Sequence, residues 1–152
     1  SIKAQRAASP KLMAVAGMTV FETDKVVLGA SPGVGTPAAA DTIDFLIPAG
    51  AHLCDLSFML DDIDTSATPT FVFGVGYRAV NSGSALAANA AYFAAAGQTI
   101  GQTGGRLECA FKPIKFEEDV YIQLLVGTAA ATLNPANPEI HIIAGYNCNG
   151  PK

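Results

Sequence analysis

The densest cluster of cation-seeking oxygens in the sequence is Asp61-Asp62-Ile63-Asp64-Thr65. Hard cations such as Ca²⁺ require clustered carboxylate and hydroxyl oxygens. The segment lacks the sharp-turn glycine and the distal bidentate Glu of a helix-loop-helix calcium loop. Asp, Ser and Thr are also ordinary turn residues, so the segment reads as a solvated corner between two strands. Zinc could draw on His52, Cys54, Cys109 and His141. Their spacing shows none of the tight ligand pairs of structural zinc sites, and strand parity puts His141 on the face opposite Ile140 and Ile142. Nucleophilic catalysis needs a base beside its nucleophile, and the chain's two histidines have no recognisable partner for that role. Gly101-Gln102-Thr103-Gly104-Gly105 is glycine-rich, but no lysine and helix follow as a phosphate loop requires. Glu117 and Glu118 alternate to opposite faces and read as a solvated turn. No cofactor, metal or enzyme activity is expected.

The remaining polar residues are sparse. Half of the 152 residues are apolar and 14% are charged, against about 25% charged in an average soluble domain. A chain of this length has enough residues for one real core. With so few charges, much of its surface must be apolar or made of Ala, Gly, Ser and Thr, which suits either burial against other chains or Ala-rich loops that inflate the apolar count. The net charge of −4 is unevenly spread. Lys3, Arg6 and Lys11 precede the first acid, Glu22, and leave −7 on everything after Lys11. A short basic arm on an acidic body suggests either docking on an acidic neighbour or a frayed, solvated terminus. Three basic residues on such a body do not make a nucleic-acid surface. No apolar run reaches the 18 or so residues of a membrane span, and no signal peptide is recognisable. Cys54, Cys109 and Cys148 are odd in number and follow no motif spacing. They read as buried, reduced thiols of a protein made in a cytosol.

The elements that position these residues are strands. Residues 1–11 are expected to form an irregular arm, and residues 12–152 a single β-sandwich domain. Met18 to Leu28 reads as an edge strand with charge on both faces. Gly29 to Ala40 holds Pro32, Gly33 and Pro37 and reads as a long loop that crosses the sandwich end or reaches a partner. From Asp41 to Tyr77 three alternating runs are joined by two turns, predicting a three-strand antiparallel meander. Its inward faces are Ile43, Phe45 and Ile47; Cys54, Leu56, Phe58 and Leu60; and Phe71, Phe73, Val75 and Tyr77. Gly74 and Gly76 share the opposite face of the third strand, which predicts close packing of another backbone or a helix there, or a bulge. The alanine density of Ala85 to Ala96 predicts one short helix stopped at Gly97. Strands follow at Arg106 to Lys112, at Val120, Ile122, Leu124 and Val126, and at Ile140, Ile142, Ala144 and Tyr146. The expected fold is all-β: an antiparallel, jelly-roll-like β-sandwich of roughly seven to eight strands with one short helix.

The order of small motifs is more specific than any one of them. Ala40-Asp41-Thr42-Ile43 is followed by Leu46-Ile47-Pro48-Ala49-Gly50-Ala51, Asp55-Leu56, Asp62-Ile63-Asp64-Thr65 and Thr70-Phe71-Val72-Phe73-Gly74-Val75-Gly76. Tyr92-Phe93, the Gly101 to Gly105 stretch and Glu118-Asp119-Val120-Tyr121-Ile122-Gln123-Leu124 continue the series, and a terminal I-x-I strand closes it. From Asp41 to about Tyr146 the chain resembles small virion proteins of tailed bacteriophages, the head decoration or cement proteins. The arm, the stretch from Tyr77 to Ala91, and Glu139 to Lys152, which runs past the final strand, depart from that pattern.

The resemblance implies a non-enzymatic virion protein, made in the host cytoplasm, that binds the outer surface of the head. It implies the major capsid protein as partner, a homo-oligomeric state (dimer or trimer), and neither nucleic acid nor membrane as target. Irregularity and charge nominate the contact segments: the arm with Lys3, Arg6 and Lys11, the loop with Pro32, Gly33 and Pro37, and the loop with Asn134, Pro135 and Asn137. A phage tail or fibre component is one alternative. A carbohydrate-binding sandwich module is another, although the chain has no Trp and few aromatic platforms.

Overall fold

The computed structural model describes residues 2–3 and 19–148. The strands are β1 (Ile2–Lys3), β2 (Thr19–Val27), β3 (Thr42–Ile47), β4 (Ala51–Leu60), β5 (Val72–Ala79), β6 (Asn89–Gln98), β7 (Gly105–Glu108), β8 (Ile114–Lys115), β9 (Val120–Thr128) and β10 (Glu139–Cys148). Eight of these have four or more residues; β1 and β8 are two-residue pieces. They form two sheets, one in the order β1-β3-β9-β5-β6 and one in the order β2-β10-β4-β7, with β8 also paired to β4. All pairings are antiparallel except β1 with β3. The molecule is an antiparallel β-sandwich, as the alternating runs predict.

The stretch 41–77 is not a meander. β3 and β5 lie in one sheet, separated by β9, while β4 lies in the other. Both of its turns therefore cross between sheets. Period-two alternation shows that a strand has one buried face, but it does not name the neighbouring strand. β9 is buried along Val120, Ile122, Leu124 and Val126, and β10 along Ile140, Ile142, Ala144 and Tyr146, as read from the sequence. The same core holds Phe45, Phe58, Phe71 and Phe73, all about fully buried.

Cys54 does not point inward. Gly145 pairs with Asp55 but Tyr146 pairs with Leu53, so Cys54 is the extra residue of a bulge in β4. The bulge reverses the parity of the strand. Ala51 and Leu53 are buried on one side of it, Leu56, Phe58 and Leu60 on the other, and Cys54 is exposed.

The predicted helix at Ala85 to Ala96 is absent. Most of that segment is the edge strand β6, and the only helical turn among the described residues is a 3-10 turn at Ile100–Gln102. An isolated 12-residue alanine helix is marginal in water, and tertiary packing decides here. Phe93 is buried and meets Phe111 edge-on at 4.8 Å; Tyr92 meets Tyr77 at 5.4 Å and donates its hydroxyl to the Lys112 carbonyl at 3.1 Å. The pairing of β5 with β6 runs Phe73↔Gln98, Val75↔Ala94 and Tyr77↔Asn89, so β6 bulges twice against β5. The bulged backbone passes over the two glycines. A Cβ on Gly74 would lie 3.1 Å from Ala96 Cα, and one on Gly76 would overlap the Asn89 carbonyl oxygen. The glycine face thus receives another backbone, one of the outcomes its sequence predicts.

Candidate interaction surface

The side chain that organises one end of the sandwich is Asp64. Its residue is 1% exposed, so it is no solvated corner. Oδ2 accepts the backbone N–H groups of Thr70 at 2.7 Å, Phe71 at 3.1 Å and Ala131 at 2.9 Å. Oδ1 accepts those of Ser66 at 3.3 Å and Thr132 at 3.0 Å. Burial alone raises the pKa of this carboxyl, but the N–H groups of Thr132, Thr70, Ala131 and Ser66 outweigh it and hold the group far below the usual carboxylate range. Both oxygens face N–H hydrogens, an arrangement that suits a buried anion and leaves little room for a coordinated cation.

Asp64 thereby ties the loop 61–71 to the loop 129–138. Thr65 N–H donates to the Thr132 carbonyl at 3.0 Å, and Thr70 Oγ1 donates to the Ala129 carbonyl at 2.8 Å. Asn134 adds a backbone donation to the Ile63 carbonyl at 2.9 Å and a side-chain donation to the Asp62 carbonyl at 2.8 Å.

The two loops nominated from sequence meet at this end. Leu28 N–H donates to the Pro138 carbonyl at 2.9 Å. A Cβ on Gly29 would lie 2.6 Å from Asn137 Oδ1, so only glycine admits Asn137 so closely. Gly29 and Gly35 exchange backbone hydrogen bonds of 2.9 Å and close the small loop between them, within which the Ser31–Pro32 peptide is cis. Pro32 and Pro135 are exposed, Gly33, Asn134 and Asn137 are half-buried, and Pro37 is buried. The 3-10 turn joins the same end: Ile63 N–H donates to the Gly101 carbonyl at 2.8 Å, and Gln102 Nε2 to the Phe71 carbonyl at 2.9 Å. Neither the Asp64 clamp nor the share of 65–70 and 99–104 follows from sequence spacing, because the partners lie far apart in the chain.

Of the basic arm, only Ile2–Lys3 lies within the described residues. β1 pairs with the edge of β3, Ile2 against Ile43 and Lys3 against Asp44. Arg6 and Lys11 fall outside the described residues. Asp44, 2% exposed, sits on the outer face of that sheet and accepts from Gln123 Nε2 at 2.8 Å and from Arg78 Nη2 at 3.3 Å. The Arg78 guanidinium lies 4.9 Å over the Tyr121 ring.

His52, Cys54, Cys109 and His141 do not converge. His141 Nε2 lies 2.7 Å from Glu139 Oε2, and Lys25 Nζ 2.7 Å from Glu139 Oε1. The hydrogen bonds from Lys25 and His141 hold the Glu139 carboxyl below the usual range. Among the described residues no three or more His, Cys, Asp or Glu side chains are grouped to hold a metal ion. Cys109 is half-buried; burial, with the Asp55 carboxylate adding to it, pushes its thiol up to about 12. In the acidic turn Glu117 and Asp119 are exposed, as expected of a solvated turn, and Asp119 also receives the Ala49 N–H at 2.8 Å. No helix among the described residues is long and apolar enough to cross a membrane.

The chain matches no protein-family model and no curated protein sequence. Two solved structures contain chains with its fold. A chain in the capsid of Ralstonia phage GP4 is 24% identical with a TM-score of 0.73, over 99% of this chain and 99% of that one. A chain in the capsid asymmetric unit of cyanophage Pam1 is 22% identical with a TM-score of 0.63, over 94% of this chain and 93% of that one. This chain shares, nearly end to end, a sandwich fold found in two phage capsids.

Proposed function

We propose that this chain is a structural protein of a phage virion, a decoration or cement protein that binds the outer surface of the head and stabilises it. The observation that carries the reading is the end-to-end match of fold to the chain in the Ralstonia phage GP4 capsid. A partial match could reflect one shared motif, whereas this one covers 99% of both chains. The strand order supports the same reading, since the chain alternates between sheets in the manner of the double-sheet jelly rolls of viral shells. Composition agrees: few charges and many small residues suit loops that neighbours bury.

In this reading the partner is the major capsid protein, and the chain acts as a homo-oligomer on the capsid surface after synthesis in the host cytoplasm. Contacts come from the basic arm and from the loops around Pro32 and Asn134. Each is modest, and many copies on one shell make the sum firm. Electron microscopy of purified particles of the phage that carries this chain tests the assignment. Density for the sandwich on the outer shell is expected. Density only at the tail, or none on the particle, overturns it.

A further inference from the structure

Charge and hydrogen bonding set one end of the sandwich apart. Residues 29–40, 65–71, 99–105 and 127–138 contain no Asp, Glu, Lys, Arg or His. The rest of the chain after Lys11 carries −7. These four segments are far apart in sequence, yet all are tied at this end: by Asp64 to Ala131 and Thr132, by Leu28 to Pro138, and by Ile63 to Gly101. Most charges at the rim are turned to internal partners, whereas the buried Asp62 Oδ1 has no hydrogen-bond partner. Asp41 Oδ2 accepts the Ala38 N–H at 2.8 Å, Asp61 Oδ2 accepts the Glu139 N–H at 2.8 Å, and Lys25 pairs with Glu139 at 2.7 Å. The largest anionic liability, Asp64, is buried beneath. Thr68 and Ala136 are exposed on two of the loops.

We infer that this four-loop end is the surface that docks on the phage head, and that it fits an uncharged protein patch there. The inference rests on the virion reading above and deepens it. A charged patch pressed against these four loops would lose its water and find no opposite charge on them, a cost that a specific interface avoids. An uncharged patch of carbonyls, amides and small side chains loses nothing of that kind. The clamp matters as well, because loops already ordered by internal hydrogen bonds give up little freedom on docking.

The test uses full-length chain and heads of the same phage stripped of it. Thr68→Glu with Ala136→Glu is expected to lower head binding at least tenfold with an unchanged melting temperature. Thr68→Gln with Ala136→Gln, which adds bulk without charge, is expected to keep binding within about threefold, and so is Thr23→Glu on the exposed face of β2. Wild-type binding by the Glu pair overturns the surface, and equal losses from the Glu and Gln pairs overturn the uncharged partner patch. If the wild-type chain does not bind heads at all, the virion reading falls, and this surface falls with it.

Discussion

Asp64 Oδ1 accepts the Thr132 backbone N–H at 3.0 Å across 68 residues of chain, and this bond, with its four companions, fastens the β4–β5 crossing to the β9–β10 crossing. Both crossings connect opposite sheets. One buried anion thus holds together two corners that sequence-local hydrogen bonds could not reach.

Asp64→Asn is expected to destabilise the fold by about 2–4 kcal/mol, because the amide nitrogen must face N–H donors and leave at least two unsatisfied. The sign of the acid response follows from the same site. The folded carboxyl titrates below its unfolded value of 3.8, so the unfolded state binds the proton first. The stabilisation is fully present above the unfolded pKa and is lost as pH falls through 3.8 toward the folded value. Chemical denaturation at pH 7 and pH 3 checks both points: wild type loses stability on acidification, and Asp64→Asn loses less. A variant as stable as wild type at pH 7 contradicts the clamp.

Gly76→Ala is expected to cost about 1–3 kcal/mol, since the added methyl overlaps the Asn89 carbonyl and the β6 backbone must move. The loss should fall on the β5–β6 edge, visible as faster amide exchange from residues 89–98 than from β9. Uniform protection across both would place the strain elsewhere.

Thiol labelling separates the cysteines. In a Cys148→Ser background at pH 8, Cys54 reacts promptly because its bulge exposes it. Cys109 reacts slowly, being half-buried with its thiol pushed up to about 12. Adding Cys54→Ser should abolish the fast phase. Persistence of that phase would refute the bulge as the source of exposure.

Removing residues 1–11 takes away Lys3, Arg6 and Lys11. Exposed ion pairs are worth about 0–1 kcal/mol each, so head binding should weaken by roughly tenfold, or about 1.4 kcal/mol, and become less sensitive to salt. Equal binding and an equal salt slope for the two forms would exclude the arm as a contact.

The sequence alone determined which side chains face the core on β9, β10 and β3, because a strand with one core face repeats its apolar residues with period two whatever lies beside it. It also marked the two loops around Pro32 and Asn134, because proline fixes φ and removes a donor while glycine admits turn conformations, and both break a strand locally. Tertiary structure alone decided which strand neighbours which. β9 stands between β3 and β5, a bulge turns Cys54 outward, and an alanine-rich segment becomes a strand because Tyr92 and Phe93 find an aromatic cluster and two glycines make room. The same holds for Asp64. One carboxylate in a turn looks alike whether solvated or buried, and only its five N–H partners, four of them four or more residues away or on another crossing, separate the two.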